Sequence, residues 1–441
     1  HSEGLSEGSR IACLLDDDAP AVVLIHAARR LGAWHIPLNR RASVPELQAQ
    51  LEASAADALL LDRANAAKAG EAVPAGVATH RIEALLAGAV CAAPPALRER
   101  IELESPSTVV FTSGTSGRPK GAVLTHDNHR ASAHAWAGLL RPQPGDRWLL
   151  CVPLFHVAGL AIVTRSTRWG ADLDVLDHFD PAAVSTAIDD GVTHLSLVAA
   201  QLVGLLVERE GRPLPPTLRA ILLGGGPMPH ELLARARKAG YPLLTTYGMT
   251  ETGSGVVSGG SDQATLDDPT RGRALPGVEL RVTPDGEILV RGDMVFSGYI
   301  DDEEATAQAL PGDGWLHTGD RGTLDEDGLL RVEARADDLI ISGGENIAPA
   351  EVEAVLESHP GVAEVAVVGA PDARWGAVPR AYLVPAGDAQ PTDSELEQYC
   401  RDRLAAYKVP VSFVRLGALP RNAMGKVSRA ELSDATGRMT S

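Results

Sequence analysis

Residues 112–121 have the sequence Thr-Ser-Gly-Thr-Ser-Gly-Arg-Pro-Lys-Gly, and this stretch determines how the rest of the chain is interpreted. Apolar runs at 107–111 and 122–125 flank it, so the pattern predicts two short strands joined by a loop. The glycines let backbone amides approach an anion closely, the hydroxyls add donors, and Lys120 adds a positive charge. Such a loop suits a polyphosphate. A hairpin turn without any ligand is compatible with the same composition.

The loop departs from the Walker-type pattern, because Pro119 precedes the lysine and Gly121 follows it. It instead resembles the phosphate loop of the adenylate-forming superfamily, which comprises acyl- and aryl-CoA synthetases, peptide-synthetase adenylation domains and luciferases. The resemblance assigns contacts with the phosphates of ATP to the loop residues Thr112, Ser113, Gly114, Thr115 and Lys120.

A second part of the nucleotide site is expected in the middle of the chain. The family places adenine against a glycine turn that matches Gly224, Gly225 and Gly226. Residues 247–252, Tyr-Gly-Met-Thr-Glu-Thr, match the next family motif. The resemblance implies that Tyr247 stacks on adenine, Thr250 contacts phosphate and Glu251 helps to hold Mg²⁺. Without the resemblance, Thr-Glu is a common helix start in which the acid faces the helix dipole.

The remaining motifs follow in family order. Residues 314–320, Gly-Trp-Leu-His-Thr-Gly-Asp, end in the carboxylate that would accept both ribose hydroxyls. Residues 420–427 contain the family's adenylation lysine. Ala348 is a departure, since many members have an aromatic residue there. The resemblance assigns ribose to Asp320, ribose or phosphate to Arg335, the hinge to Asp337, the pantetheine tunnel to Gly343 and Gly344, and adenylation to Lys426.

The acid site is expected after an apolar strand that ends in Pro-Leu-Phe-His at 153–156. In the family the histidine or aromatic residue of this motif lies beside the acyl pocket, which here is His156. Arg165 follows nine residues later. Taken alone, His156 fits a structural residue and Arg165 fits a surface charge. Together they resemble the branch of the family that activates 2-succinylbenzoate in menaquinone biosynthesis, where the basic residue contacts a substrate with two carboxylates.

Charge and composition exclude several classes of partner. The 441 residues carry a formal net charge of −18, which argues against nucleic acid and against an anionic membrane surface. The four cysteines form no metal or redox pattern, as in a cytoplasmic protein with reduced thiols. No apolar run approaches the roughly 20 residues of a membrane helix. Whether the protein forms a homo-oligomer stays open.

The alternation of strands and helices predicts an α/β fold. Helical periodicity predicts a helix over 19–31, and a second helix that runs to about Leu140 is expected to be capped by Asp127 or Asn128. A hairpin is expected around 283–286, and helices and strands are expected to alternate after residue 349. We expect a large N-terminal domain over 1–336, made of layered α/β subdomains and a β-barrel-like subdomain. A small, mobile α+β lid domain is expected over 337–441. The chain starts at His1 near what resembles the family's second strand, so we also expect the N-terminus to be incomplete.

These motifs predict an enzyme, an AMP-forming acid–thiol ligase. Its expected co-substrates are ATP and CoA, with Mg²⁺, and its reaction would pass through an acyl-adenylate with release of pyrophosphate and then AMP. The first choice of acid is 2-succinylbenzoate. The alternatives are another aryl- or short- to medium-chain acyl-CoA synthetase, or a standalone adenylating enzyme that loads a carrier protein.

Overall fold

The computed structural model divides the chain into two compact units. The first comprises 1–40, 50–112 and 120–334, and the second comprises 41–49, 113–119 and 335–441. The residues that the structure describes are 4–74, 76–91, 100–112, 119–226, 230–262, 265, 271–335, 339–387, 389–420, 427, 429 and 431–433. Within these residues, no helix combines the length and the apolar character that crossing a membrane requires.

A seven-stranded sheet forms one layer of the first unit. Its strands are β1 Arg10–Leu14, β2 Trp34–Pro37, β3 Ala58–Leu61, β4 Ala78–Arg81, β5 Pro106–Thr112, β6 Lys120–Thr125 and β16 Gly298–Tyr299. Their order is β16-β6-β5-β2-β1-β3-β4. Strands β1 to β5 pair in parallel, whereas β6 pairs antiparallel with both β5 and β16. The helices between the early strands are α1 Ala19–Leu31, α2 Val44–Ser54, α3 Ala66–Ala72 and α4 Ile82–Cys91.

Helix α1 begins and ends where local chemistry predicts. Asp18 accepts a hydrogen bond from the amide of Ala21, and Pro20 occupies the first turn, where its missing N–H is no loss. Gly32 ends the helix in the left-handed conformation at φ 76°. The sequence-based prediction of a helix over 19–31 is therefore confirmed.

An eleven-stranded sheet forms the second layer. Its strands are β7 Arg147–Leu150, β8 Asp172–Val175, β9 His194–Leu197, β10 Ala220–Leu223, β11 Leu243–Met249, β12 Ser254–Gly259, β13 Arg271–Ala274, β14 Glu279–Val282, β15 Glu287–Arg291, β17 Leu316–Leu324 and β18 Leu329–Arg335. Their order is β14-β15-β17-β18-β13-β12-β11-β10-β9-β7-β8. Pairing is parallel from β8 to β11 and antiparallel from β11 to β12. The expected hairpin around 283–286 is present as β14 and β15.

Two helices pack between the layers. The remaining helices of the first unit are α5 His126–Leu140, α6 Val157–Trp169, α7 Pro181–Asp189, α8 Ala199–Glu208, α9 His230–Lys238 and α10 Glu303–Ala309. Leu124 of β6, Trp136 of α5, Trp148 of β7 and Leu160 of α6 are all fully buried in one core that both sheets share. Helices α5 and α6 thus both contribute to this core, and both bring polar residues into it.

The N-terminus of α5 differs from the predicted one. We expected Asp127 or Asn128 to cap the helix, but the N-cap is Thr125. Its hydroxyl accepts a hydrogen bond from the amide of Asn128, and the Asn128 side chain accepts one from the amide of Thr125. This reciprocal arrangement satisfies two amide donors at once, so it is preferred over a single cap further along the chain.

The second unit has its own sheet and core. Its elements are β19 Ile340–Ser342, β20 Glu345–Ile347, α11 Pro349–Glu357, β21 Val362–Asp372, β22 Gly376–Pro385, α12 Asp393–Arg401 and β23 Phe413–Arg415. The long antiparallel pair β21–β22 is central, and Val352, Val367, Leu383 and Leu396 are fully buried against it. The predicted alternation of strands and helices after residue 349 is confirmed.

Replacement of Gly159 by alanine should destabilise the first unit. A Cβ there would lie 2.4 Å from the carbonyl oxygen of Pro153, which is backbone and cannot swing away. We expect Gly159→Ala to lower the free energy of unfolding by about 1–3 kcal/mol, as overpacking typically does. Thermal or urea unfolding checks this.

Gly138→Ala is the matched control, because a Cβ at this exposed position of α5 would lie 3.6 Å from Pro276 Cγ. Alanine is the better helix former, so this variant should be neutral or more stable by up to about 1 kcal/mol. Equal stability of the two variants would contradict the geometry at Gly159.

Candidate active site

The two ends of the glycine-rich loop are fixed by strand pairing. Thr112 lies opposite Lys120 at the end of the β5–β6 hairpin, and the Thr112 hydroxyl donates to the Lys120 carbonyl at 3.4 Å. The predicted phosphate-binding residues Ser113, Gly114 and Thr115 lie outside the described residues. The structure therefore positions the entrance and exit of the loop, with a lysine at the exit.

Strand β6 packs closely against the segment that contains β16. The amide of Ile300 donates to the carbonyl of Gly121 at 2.8 Å. A Cβ on Gly121 would lie 2.7 Å from Ile300 Cγ2 and 2.8 Å from Val109 Cγ1. Glycine after Lys120 is thus required by this close approach, independently of any ligand.

Glu251 lies on a 3₁₀ turn, Thr250–Thr252, directly after β11. Its side chain is only 4% exposed, and its Oε1 accepts a hydrogen bond of 2.6 Å from the hydroxyl of Tyr299. The ammonium of Lys120 lies 5.6 Å from the centre of the Tyr299 ring. The structure thus brings Lys120 to the ring and Glu251 to the hydroxyl of one tyrosine side chain, although the two residues are 131 positions apart in the sequence.

The chemistry of Glu251 suits a hard divalent cation that is shared with a ligand. Carboxylate oxygen is a donor that Mg²⁺ accepts, and Mg²⁺ is commonly held by one or two carboxylates together with substrate phosphates. Among the described residues, no group of three or more His, Cys, Asp and Glu side chains could hold a metal alone. Glu251 therefore suits a cation that binds together with a polyphosphate better than a metal ion that the protein alone would hold.

Tyr247 and Asp320 meet although they belong to different motifs. The Tyr247 hydroxyl donates to Oδ2 of Asp320 at 2.8 Å, and Asp320 is 6% exposed. Tyr247 lies on β11 and Asp320 on β17, which are separated by three strands in the sheet order. The contact places an aromatic ring beside a carboxylate, as a nucleoside with a base and a diol requires.

The glycine turn at 224–226 lies next to Thr246, which directly precedes Tyr247 in β11. Leu223 is paired with Thr245 in the parallel β10–β11 ladder, and a Cβ on Gly224 would lie 2.3 Å from the hydroxyl oxygen of Thr246. Gly225 has φ 81°, a conformation that favours glycine. The turn therefore presents bare backbone beside Thr246, the residue that precedes Tyr247, and bare backbone suits a flat ring.

The acid-side residues lie at different points of α6. His156 is the N-cap residue, and its ring lies 4.6 Å from the ring of Phe155. Arg165 is buried to 2% exposure, and its Nη2 donates to the Ser254 hydroxyl at 2.9 Å. Nine residues correspond to about 14 Å along a helix, so the two side chains do not share one small contact point.

Arg165 is a desolvated cation. Its guanidinium carbon lies 5.1 Å from the ring centre of Trp136 and 5.9 Å from that of Trp148. Burial lowers its pKa to about 9. Within the part of the chain that the structure describes, no carboxylate forms an ion pair with it. The two indole faces supply some electrostatic compensation, but a net positive charge remains in the core.

The other predicted site residues belong to the C-terminal part of the chain. Asp337 and Lys426 lie outside the described residues, as does the side chain of Arg335, whose backbone ends β18. Gly343 and Gly344 form the β19–β20 turn of the second unit with φ of 59° and 89°. Their predicted role at a pantetheine tunnel stays a prediction.

Sequence reasoning missed a group of polar residues that supports Asp320. His317 Nδ1 lies 3.1 Å from Glu287 Oε2, and its Nε2 lies 3.3 Å from Asp313 Oδ2. The other oxygen of Glu287 accepts the amide of Gly319 at 3.1 Å. Desolvation opposes protonation of His317, yet its hydrogen bonds with Asp313 and Glu287 outweigh this and raise its pKa above 6.5. The motif at 314–320 contains His317, but only the fold reveals Glu287.

The chain matches known families and proteins over most of its length. Residues 1–300 match the family model described as AMP-binding enzyme, and residues 351–426 match that of the AMP-binding enzyme C-terminal domain. The chain is 41% identical over 442 residues to 2-succinylbenzoate–CoA ligase from Geobacillus kaustophilus, covering 97% of this chain and 88% of that protein.

Solved structures are similar over almost the whole chain. A double mutant of o-succinylbenzoate CoA synthetase from Bacillus subtilis, bound with its product analogue OSB-NCoA, has a TM-score of 0.91 and 38% identity, covering 98% of this chain and 90% of that one. The same synthetase in complex with ATP and magnesium ion has a TM-score of 0.71, at the same identity and coverage.

His317 should stabilise the fold most below neutral pH. Its pKa is raised in the folded state, so its stabilising contribution is complete below the unfolded value near 6.5 and is lost as the pH rises through the higher folded value. We expect the difference in melting temperature between the wild type and His317→Gln to be larger at pH 6 than at pH 9.

The exposed His134 of α5 provides the control, since His134→Gln should leave the melting temperature unchanged at both pH 6 and pH 9. A difference for His317→Gln that stays constant or grows with pH would show that the bridge to Glu287 and Asp313 does not carry a charge.

Proposed function

Because the chain belongs to the AMP-binding enzyme family, we propose that it is an ATP-dependent acid–CoA ligase that activates 2-succinylbenzoate. One observation carries this proposal: Lys120 and Glu251 converge on Tyr299 at the end of the loop, while Tyr247 meets Asp320. A cation, a carboxylate, an aromatic ring and a second carboxylate are the groups that a nucleoside triphosphate with its metal ion requires.

We assign the nucleotide contacts as follows. The backbone of 224–226 and the ring of Tyr247 would enclose adenine, and Asp320 would accept the ribose hydroxyls with its two carboxylate oxygens. Thr112, Lys120 and Thr250 would contact phosphates, together with Ser113, Gly114 and Thr115 of the loop. Held by Glu251 and phosphate oxygens, Mg²⁺ would supply neutralisation of phosphate charge.

The reaction has two halves. In the first, an oxygen of the acid's carboxylate forms a bond to the α-phosphorus of ATP, and the bond to pyrophosphate breaks. In the second, the CoA thiol loses its proton and its sulfur bonds to the acyl carbon, while AMP departs. The protein contributes positioning and preorganised charge, because neither half requires a covalent bond to a side chain.

The choice of acid rests on Arg165. A buried guanidinium without a carboxylate partner is costly, and a substrate carboxylate would supply the missing charge. An acid with two carboxylates can offer one to Arg165 and keep the other for activation, and relatives named for 2-succinylbenzoate support this choice. His156, at the other end of α6, would line the acyl pocket.

The remaining assignments follow the family resemblance. We propose a nucleotide domain over 1–336 and a lid domain over 337–441, with Asp337 as the hinge and Arg335 beside the ribose or phosphate. Lys426 would bridge the attacking carboxylate and the α-phosphate, and Gly343 and Gly344 would line the CoA tunnel. We place the enzyme in the cytoplasm, and the free thiols of the buried Cys13, Cys151 and Cys400 support a reducing compartment.

A CoA-ligation screen tests the proposed function. The purified protein is incubated with ATP, Mg²⁺, CoA and either 2-succinylbenzoate, benzoate or a fatty acid, and both AMP and thioester are followed. We expect equal amounts of AMP and thioester, with 2-succinylbenzoate giving the highest kcat/KM. Faster turnover of benzoate or a fatty acid would reassign the acid, and AMP without thioester would favour a carrier-loading enzyme.

Arg165→Met should weaken recognition of a dicarboxylate acid specifically. Loss of one partner of a buried charge pair costs about 2–5 kcal/mol, so the KM for 2-succinylbenzoate should rise at least about 30-fold. The KM for ATP should change little. Because the substitution also removes a desolvated charge, the melting temperature should not fall. Arg165→Lys keeps the charge, so its KM for 2-succinylbenzoate should lie between that of the wild type and that of Arg165→Met. An unchanged KM for 2-succinylbenzoate in Arg165→Met would show that Arg165 does not contact the acid.

Lys426→Ala should separate the two half-reactions. We expect adenylation to slow by about two to three orders of magnitude, as for the loss of one group that stabilises charge in the transition state. Thioester formation from supplied acyl-adenylate should persist. Stopped-flow measurement of each half checks this, and an equal loss in both halves would contradict the assigned role.

A further inference from the structure

Tyr299 contacts two residues of opposite charge, Glu251 and Lys120, and neither the sequence motifs nor the comparisons assign it a role. Its hydroxyl donates to Oε1 of Glu251 at 2.6 Å, and its ring centre lies 5.6 Å from the Lys120 ammonium. Among the described residues, the other carboxylate oxygen of Glu251 accepts no hydrogen bond. Tyr299 therefore holds Glu251 by one oxygen and leaves the second oxygen available.

The backbone around Tyr299 ties together the two motifs that its side chain contacts. Strand β16 pairs with β6, with Tyr299 opposite Ala122, two residues after Lys120. Just before β16, the amide of Phe296 donates to the backbone carbonyl of Glu251 at 2.8 Å. The short segment is thus hydrogen-bonded both to the strand that leaves the phosphate loop and to the turn that carries the carboxylate.

Further contacts fix the direction of the Tyr299 side chain. Its amide donates to the Thr306 hydroxyl at 2.8 Å, and its ring packs edge-on against Phe296 with centres 4.8 Å apart. The preceding Gly298 has φ 139°, and a Cβ there would lie 2.8 Å from Thr306 Cγ2. A tyrosine held at its backbone and its ring can orient a carboxylate with little residual freedom.

We propose that Tyr299 is a positioning residue for the divalent cation: its hydroxyl orients Glu251, and its ring keeps Lys120 from pairing with Glu251. This inference rests on the proposed function and deepens its nucleotide site. Carboxylates that bind metals are generally oriented by hydrogen bonds of this kind. The spacer role follows from charge, because a direct Lys120–Glu251 ion pair would neutralise both groups that a metal-bound triphosphate needs.

The two roles predict different behaviour for two variants. Tyr299→Phe removes the hydroxyl but keeps the ring beside Lys120, so only the orientation of Glu251 is lost. Tyr299→Leu removes both, so Lys120 becomes free to approach Glu251. The first variant should affect binding only when the cation is present, and the second should also affect binding of the phosphates alone.

The test is calorimetric titration with α,β-methylene-ATP, which the enzyme cannot cleave, in Mg²⁺ and in EDTA. For Tyr299→Phe we expect the Kd in Mg²⁺ to rise about 10- to 100-fold, the usual effect of removing a group that orients a metal ligand. The Kd in EDTA should stay within about twofold of the wild type. For Tyr299→Leu the Kd should rise under both conditions.

Tyr247→Phe is the matched control, because it also removes a tyrosine hydroxyl bonded to a buried carboxylate, that of Asp320. Its Kd should rise by the same factor with and without Mg²⁺, since Asp320 is assigned to ribose. A double-mutant cycle adds a readout that general damage to the fold would not mimic. In a Glu251→Gln background, Tyr299→Phe should have no further effect on the Kd in Mg²⁺.

The outcomes separate this inference from the function on which it rests. If Mg²⁺ lowers the Kd of the analogue by the same factor in the wild type and in Tyr299→Phe, the positioning role is wrong and the proposed function stands. An equal loss with and without Mg²⁺, or an additive effect with Glu251→Gln, also overturns the positioning role. A wild type with no Mg²⁺-dependent binding would overturn both.

Discussion

The pairing of Thr112 with Lys120 is the constraint on which the rest of the site depends. Because β5 and β6 are hydrogen-bonded neighbours, the loop between them must leave and re-enter the sheet at adjacent positions. Strand β6 then lies between β5 and β16, so its far edge determines where Tyr299 lies and, through the Phe296 amide, where the Glu251 turn lies. Lys120, Tyr299 and the turn that carries Glu251 are therefore positioned by one run of backbone hydrogen bonds.

A second constraint is the positive charge in the core between the two sheets. Arg165 is buried beside Trp136 and Trp148, and it donates to Ser254, only three residues after Glu251. Burying a cation without a carboxylate lowers stability, so its presence is understandable if a ligand supplies the anion. The same hydrogen bond links helix α6, which carries the proposed acid pocket, to the strand that follows the Glu251 turn. The proposed acid site and the proposed nucleotide site thus involve adjoining parts of one core.

Much of the fold was predictable because its determinants are local. Helix α1 has Asp18, Pro20 and Gly32 at its ends. Asp18 caps the first turn with its side chain, Pro20 has no N–H to leave unpaired, and Gly32 adopts the left-handed conformation that ends the helix. The motifs containing Tyr247 and Asp320 were recognisable in the sequence, and the structure brings those residues together. The extent of α5 was predicted, but its cap was not, because the preference for Thr125 depends on a reciprocal hydrogen bond with Asn128.

The rest could not be predicted because it depends on contacts between distant segments. Strand β16 has two residues, too few for any periodicity, and Tyr299 has no local feature that indicates its contact with Glu251. Glu287 lies 32 residues before Gly319, so its support of the Asp320 turn appears only in the folded sheet. Likewise, Arg165 could be noticed from its spacing to His156, but its burial without an acidic partner is a property of the core.

Exchange of labelled pyrophosphate into ATP reports whether this site forms an acyl-adenylate. The protein is incubated with ATP, Mg²⁺, labelled pyrophosphate and 2-succinylbenzoate, with CoA omitted so that only the first half-reaction can run. We expect label to enter ATP only when the acid is present. Absence of exchange with every acid offered, or exchange at the same rate without any acid, would contradict it.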